Sequence, residues 1–235
     1  MSTATTIPTD GAAAAAPSPR RRHLWAALFF LLLVPAANYP LVRHLGTHVA
    51  SNAGDDTFEV LWQLAATARA VFETHTNPFF TPDVFYPHGW YLASGAQPTW
   101  YYTLLSPLTA AVGPVAAYNL IVLSTFVVAG FGVYLLGQWL TGRWLAGVIA
   151  GCAYILAPFF TVRVGGHAHV LFAMMFLPYA LGATLRAMTA PVRAWRWVAL
   201  GGIALAATIL SHWYFLFIAT LPLVAAALSV HSTVA

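Results

Sequence analysis

The sequence has no lysine, a single cysteine and little charge of either sign. Charged residues fill 7% of its 235 positions, against roughly 25% in an ordinary soluble domain. So few charges cannot coat a globule of this size in water, which excludes a soluble domain and points to lipid as the main solvent. All 10 cations are arginines, and the net charge of +4 is too sparse to mark a nucleic-acid partner. Cys152 lies in an apolar run, so no disulfide framework exists. What the chain does have is 60% apolar residues, with 15 prolines and 17 glycines. Membrane helices tolerate that many because neighbouring helices re-satisfy the freed backbone groups.

The fold class expected is all-α: a polytopic membrane protein of about six transmembrane helices, with interfacial helices in a long first outer loop. Residues 1–23 read as a disordered cytoplasmic tail ending in Arg20-Arg21-Arg22, and 24–235 as the transmembrane domain. The spans expected are 24–42, 114–137, 144–162, 168–188, 197–211 and 213–230, most near the roughly 20 residues a bilayer requires. With the N-terminus in the cytoplasm, Arg20, Arg21, Arg22, Arg143, Arg186, Arg193 and Arg196 fall inside, and Arg43, Arg69 and Arg163 outside. That bias sets the orientation.

Segment 43–113 is then extracytoplasmic and holds Asp55, Asp56, Glu59, Glu73 and Asp83, all but one of the acidic residues. Residues 57–73 have the pattern of an amphipathic helix at the membrane surface, with Phe58, Leu61, Ala65, Ala68 and Phe72 as its apolar face. Pro78 ends it. Residues 99–113 read as a further interfacial helix, interrupted by Pro107.

Polar residues collect on the outer side. His44, His48, His75, His88, His167, His169 and His212 all map there, an asymmetry that a passive anchor does not need. Asp56 followed by Glu59 has the spacing of a capping box. A single Asp suffices for a cap, so the Asp55-Asp56 pair leaves a carboxylate for a general base or a metal ligand. His167-Ala168-His169 could chelate a metal given a third donor, or be water-bonded loop histidines. Arg163 suits a lipid phosphate, which guanidinium binds bidentately, or snorkels at a helix end.

In order, Gly54-Asp55-Asp56 with Trp62, Asn77-Pro78-Phe79, Phe85-Tyr86-Pro87-His88-Gly89, Ser106-Pro107-Leu108, Gly113 to Leu120, Ala157-Pro158-Phe159, Gly166-His167 and Leu177-Pro178 run along residues 24–190. This ordered set resembles the GT-C superfamily of membrane glycosyltransferases, most of all its uncharacterised bacterial branches. The resemblance implies an enzyme of the bacterial inner membrane that takes a sugar from a polyprenyl-phosphate carrier on the extracytoplasmic face. It implies Asp56, with Asp55 beside it, as the catalytic carboxylate. Some branches carry an Asp-x-Asp metal motif in the second outer loop; here His167-x-His169 stands in that place. A divalent metal is thus a candidate cofactor, with Asp55, Asp56, His167 and His169 as its candidate ligands. Otherwise the His pair joins Arg163 on the lipid phosphate. The partners expected are a lipid-linked sugar donor, membrane lipids and an unidentified acceptor. Family members have more spans, so the chain reads as the N-terminal portion of a longer enzyme. The alternative reading is a non-catalytic membrane scaffold or a transporter.

Overall fold

The computed structural model describes residues 18–51, 56–95, 97–190 and 192–234. Most of the tail expected over 1–23 lies outside them, as does Asp55. The chain is helical, with one short hairpin. In order come α1 (Pro19–Ala37), α2 (Tyr39–Val42), α3 (Thr57–Phe72), β1 (Phe80–Thr81), β2 (Trp90–Tyr91), α4 (Thr99–Leu104) and α5 (Ser106–Thr141). Then follow α6 (Trp144–Ile155), α7 (Pro158–Val162), α8 (Ala168–Thr189), α9 (Ala194–Ser211) and α10 (Phe215–Val234). The hairpin pairs Phe80 with Tyr91 and Thr81 with Trp90, antiparallel.

Among the described residues three helices, α5, α8 and α9, are long and apolar enough to cross a membrane. A fourth crossing arises if Trp144–Ile155 and Pro158–Gly165, bent by 44°, form one span. The continuous helix expected over 144–162 is interrupted at Leu156-Ala157, where Pro158 starts a new helix. α5 is also two pieces. Gly113 has φ 80 and ψ 161, a backbone open to glycine, and Pro114 begins the longer piece. α1 starts at Pro19, so Arg20, Arg21 and Arg22 belong to its first turn instead of a tail.

Small residues bring the long helices together. A Cβ on Gly151 of α6 would lie 2.5 Å from the Gly130 carbonyl oxygen of α5 and 2.5 Å from the Phe30 ring of α1. Gly147 and Gly151, four apart on α6, open the face that α5 occupies, the packing that membrane helices favour. Phe30, Tyr102, Tyr118, Tyr134, Phe160 and Phe172 are fully buried in the core between α1, α4, α5, α7 and α8.

The two ends differ in chemistry. At one, Trp144 Nε1 donates to the Arg22 carbonyl at 3.2 Å, and His23 Nδ1 lies 2.9 Å from the Tyr134 hydroxyl. Arg186 sits over Trp139 and Trp197. This is the arginine-rich end. The loop histidines and the head of α3 lie at the other.

α3 is amphipathic, as its pattern predicts, with one of the expected apolar residues, Ala68, on the side packed inward. Its buried face is Thr57, Val60, Gln63, Leu64, Thr67 and Ala68, packed on α5 and α4. Phe58 and Phe72 point outward, as does Ala65. Where lipid surrounds a bundle, outward apolar and inward polar side chains are the stable arrangement.

Candidate functional site

The site is assembled from three loops at the histidine-rich end. The first runs into α3, and α5 pins it. Asn119, fully buried, donates from Nδ2 to the carbonyls of Leu45 and His48, both at 2.7 Å, and accepts from the Ala50 amide at 3.4 Å. The Tyr118 hydroxyl donates to the Ala50 carbonyl at 3.3 Å. Ser51 Oγ donates to Thr57 Oγ1 at 2.9 Å. The chain is thus anchored on both sides of the Asp55-Asp56 step.

Asp56 occupies the N-cap position of α3 with a helical backbone, φ −59 and ψ −4, and its side chain makes no capping hydrogen bond. The capping box suggested by the Asp56-to-Glu59 spacing is not made. Asp56 Oδ2 instead lies 4.0 Å from Nε2 of His167, with both side chains about half exposed.

His167 comes from the second loop. α7 runs into a turn of 3-10 helix at Arg163–Gly165, and the His167 amide donates back to the Arg163 carbonyl at 2.9 Å. This tight closure puts His167 at the N-cap of α8. Arg163 is half-buried with its guanidinium 4.8 Å from the Phe159 ring centroid, and it has no carboxylate partner among the described residues.

The His167-x-His169 pair divides. The rings are 5.8 Å apart, but His167 is exposed and His169 is 3% exposed. His169 stacks on His212, from the α9–α10 turn, with centroids 5.0 Å apart and planes within 11°. Its Nδ1 is 3.4 Å from Nε2 of Gln97. His169, expected beside Arg163 on a lipid phosphate, is thereby buried against His212 and Gln97.

Gln97 is a hub that sequence reading missed. Its Oε1 accepts from the Tyr102 hydroxyl at 2.9 Å, and its amide is near enough to the Glu59 carboxyl to favour the charged form. Glu59 Oε1 accepts from Gln63 Nε2 at 3.1 Å, and Gln63 Oε1 accepts from Thr99 at 3.4 Å. Gln63, Gln97, Thr99 and Tyr102 are all buried. A connected polar chain therefore leads from the carboxylates at the head of α3 to the stacked histidines. Burial, and then the nearby Asp56 charge, push the Glu59 carboxyl above its usual range. Burial, and then the charges of Arg163 and His167, hold the His212 imidazole below its ordinary value.

No protein-family model, curated protein or solved structure matches this chain.

Of the sequence-predicted residues, Asp56, Arg163, His167 and His169 gather at one end, and Asp55 lies outside the described residues. Among the described residues, no three His, Cys, Asp or Glu side chains converge as a metal site. His169 spends its Nδ1 edge on Gln97, and the Asp56–His167 pair supplies only two donors. Among the described residues these donors do not make up a metal site. What the arrangement offers is a partly exposed carboxylate beside an imidazole, a guanidinium one short loop away, and a buried polar support behind them. Glu59, Gln97 and His212 join the candidate site in a way that spacing could not reveal, because each does so through tertiary contact.

Proposed function

We propose that the chain is a membrane glycosyltransferase that uses a polyprenyl-phosphate-linked sugar. In this reading α1 and α10 also cross the bilayer, giving six crossings. The N-terminus is cytoplasmic, and the Asp56–His167 site faces the extracytoplasmic side.

The observation that carries the reading is the Asp56–His167 pair: a carboxylate released from helix capping and held 4.0 Å from an imidazole. Asp56 acts as general base. It takes the proton of an acceptor hydroxyl while that oxygen attacks the anomeric carbon. The bond from that carbon to the carrier phosphate breaks, and the phosphate leaves with the electron pair. Arg163 offsets the charge that develops there, since a guanidinium matches phosphate with paired N–H donors. His167 orients Asp56. The buried chain through Glu59, Gln97 and His169 fixes the two loops against each other. The arginines at the opposite end support the orientation through the bias of basic residues toward the cytoplasm.

The test is polyprenyl phosphate binding to the protein in nanodiscs. Arg163→Ala should weaken it about ten- to a hundredfold, the loss of one charge-assisted contact, and Arg163→Lys should recover part. Unchanged affinity in Arg163→Ala would leave the arginine a snorkelling residue and remove it from the site.

A further inference from the structure

A second feature lies away from this site, toward the arginine-rich end. α5, α8 and α9 leave a groove of about 360 Å³ between them. Its walls are almost wholly apolar, with Leu136, Tyr179, Gly182, Leu200 and Ile203 among them. Arg186 closes one end. Its guanidinium lies 4.7 Å from the Trp197 ring centroid and 5.3 Å from that of Trp139, and all three residues line the groove. Among the described residues, Arg186 has no carboxylate partner and its guanidinium makes no hydrogen bond.

We propose that this groove holds one acyl chain of an anionic phospholipid whose phosphate is bound by Arg186. Two observations fix the occupant. The first is charge. A cation at the mouth of an apolar slot, with its five N–H donors unused by protein, complements an anionic headgroup. The flanking indoles hold the guanidinium plane while leaving its edge free. The second is length. From Trp139 to Val128 the groove follows α5 for about 16 Å at the rise of an α-helix. That is roughly half of a ~30 Å hydrocarbon core, the reach of a tail from a single leaflet. A polyprenyl chain would overrun it. The site is independent of the sugar-transfer reading.

Gly182 gives a direct handle. A Cβ built there meets only Leu136 Cδ1, at 3.7 Å, an ordinary contact, so a longer side chain projects into the groove. The experiment is native mass spectrometry of the whole chain released from nanodiscs of equal phosphatidylglycerol and phosphatidylcholine. Wild type should retain one phosphatidylglycerol per chain, preferred about tenfold, as loss of a single charged contact allows. Arg186→Gln should retain either lipid without preference. Gly182→Leu should retain neither, and Ala207→Leu serves if that variant does not fold. The proposal is overturned if wild type carries no lipid, if the groove-filling variants carry as much as wild type, or if Arg186→Gln keeps the preference. A second copy of the chain on this face, seen as a lipid-free dimer, would overturn it as well.

Discussion

The imidazole of His169 lies flat against that of His212, with ring centroids 5.0 Å apart and planes 11° from parallel. Two histidines far apart in sequence thus join the N-terminus of α8 to the turn between α9 and α10. Such stacking favours neutral rings, because charging either places like charges in contact, and Arg163 and His167 oppose it further.

Acid should therefore loosen this junction. The folded-state pKa of His212 lies below its ordinary 6.5. The unfolded chain then binds more protons between the two values, so stability is full above about 6.5 and falls as the pH drops through that window. Thermal unfolding in detergent at pH 7.5 and 5.5 should show a loss for wild type that shrinks in His212→Asn. An equal acid loss in both proteins would remove His212 from the effect.

Gln97 should matter more than its place in a loop suggests. Gln97→Leu leaves the Tyr102 hydroxyl without its acceptor in a fully buried setting. An unsatisfied buried polar group costs about 1–3 kcal/mol. A clear drop in melting temperature is expected, and a smaller one for Tyr102→Phe, which removes the orphaned group itself. Wild-type melting in Gln97→Leu would show that the buried chain is not structural.

The α5–α6 contact admits no side chain. Gly151→Leu should cost several kcal/mol or block folding, since its Cβ alone would press into the Gly130 carbonyl. Gly202→Leu, at a position with nothing within 4 Å, should be nearly neutral. Equal yields of folded protein from the two variants would contradict the packing described.

Orientation is open to impermeant thiol labelling in intact cells, in a Cys152→Ala background. A cysteine at Ser94, exposed beside the hairpin, should react. One at Thr141, exposed at the end of α5 on the arginine-rich side, should not. The reverse pattern would invert the proposed topology.

Long apolar runs made the large helices legible in the sequence, and the run expected to begin at 114 starts where Gly113 kinks α5. The break in 144–162 was signalled by Pro158 but hidden by continuous apolarity. On α3 the apolar face expected at the membrane lies outward at Phe58, Ala65 and Phe72, while Ala68 packs inward. In a lipid-facing bundle Gln63 and Thr67 go inward and Phe58 outward. For the site, His167 and Asp56 stood out by residue type, yet nothing in spacing could show that they meet. Gln97 and His212 carry no local signal, since each is defined by what folding brings against it. Asp56 also escaped its local rule. A capping-box spacing is a propensity, and here the carboxylate turns to a tertiary neighbour instead.

In the proposed reaction Asp56 serves as a base and not as a helix cap. Its side chain caps nothing, so Asp56→Asn should leave the melting temperature within about 0.5 kcal/mol of wild type in stability terms. The decisive measurement is consumption of polyprenyl-phosphate-linked hexoses by the whole chain in nanodiscs, with membrane extract supplying acceptors. Asp56→Asn should lower turnover by about a hundredfold or more, the scale of general-base catalysis, with polyprenyl phosphate affinity unchanged. Wild-type turnover in Asp56→Asn, or no donor consumed by the wild-type chain, would contradict the account.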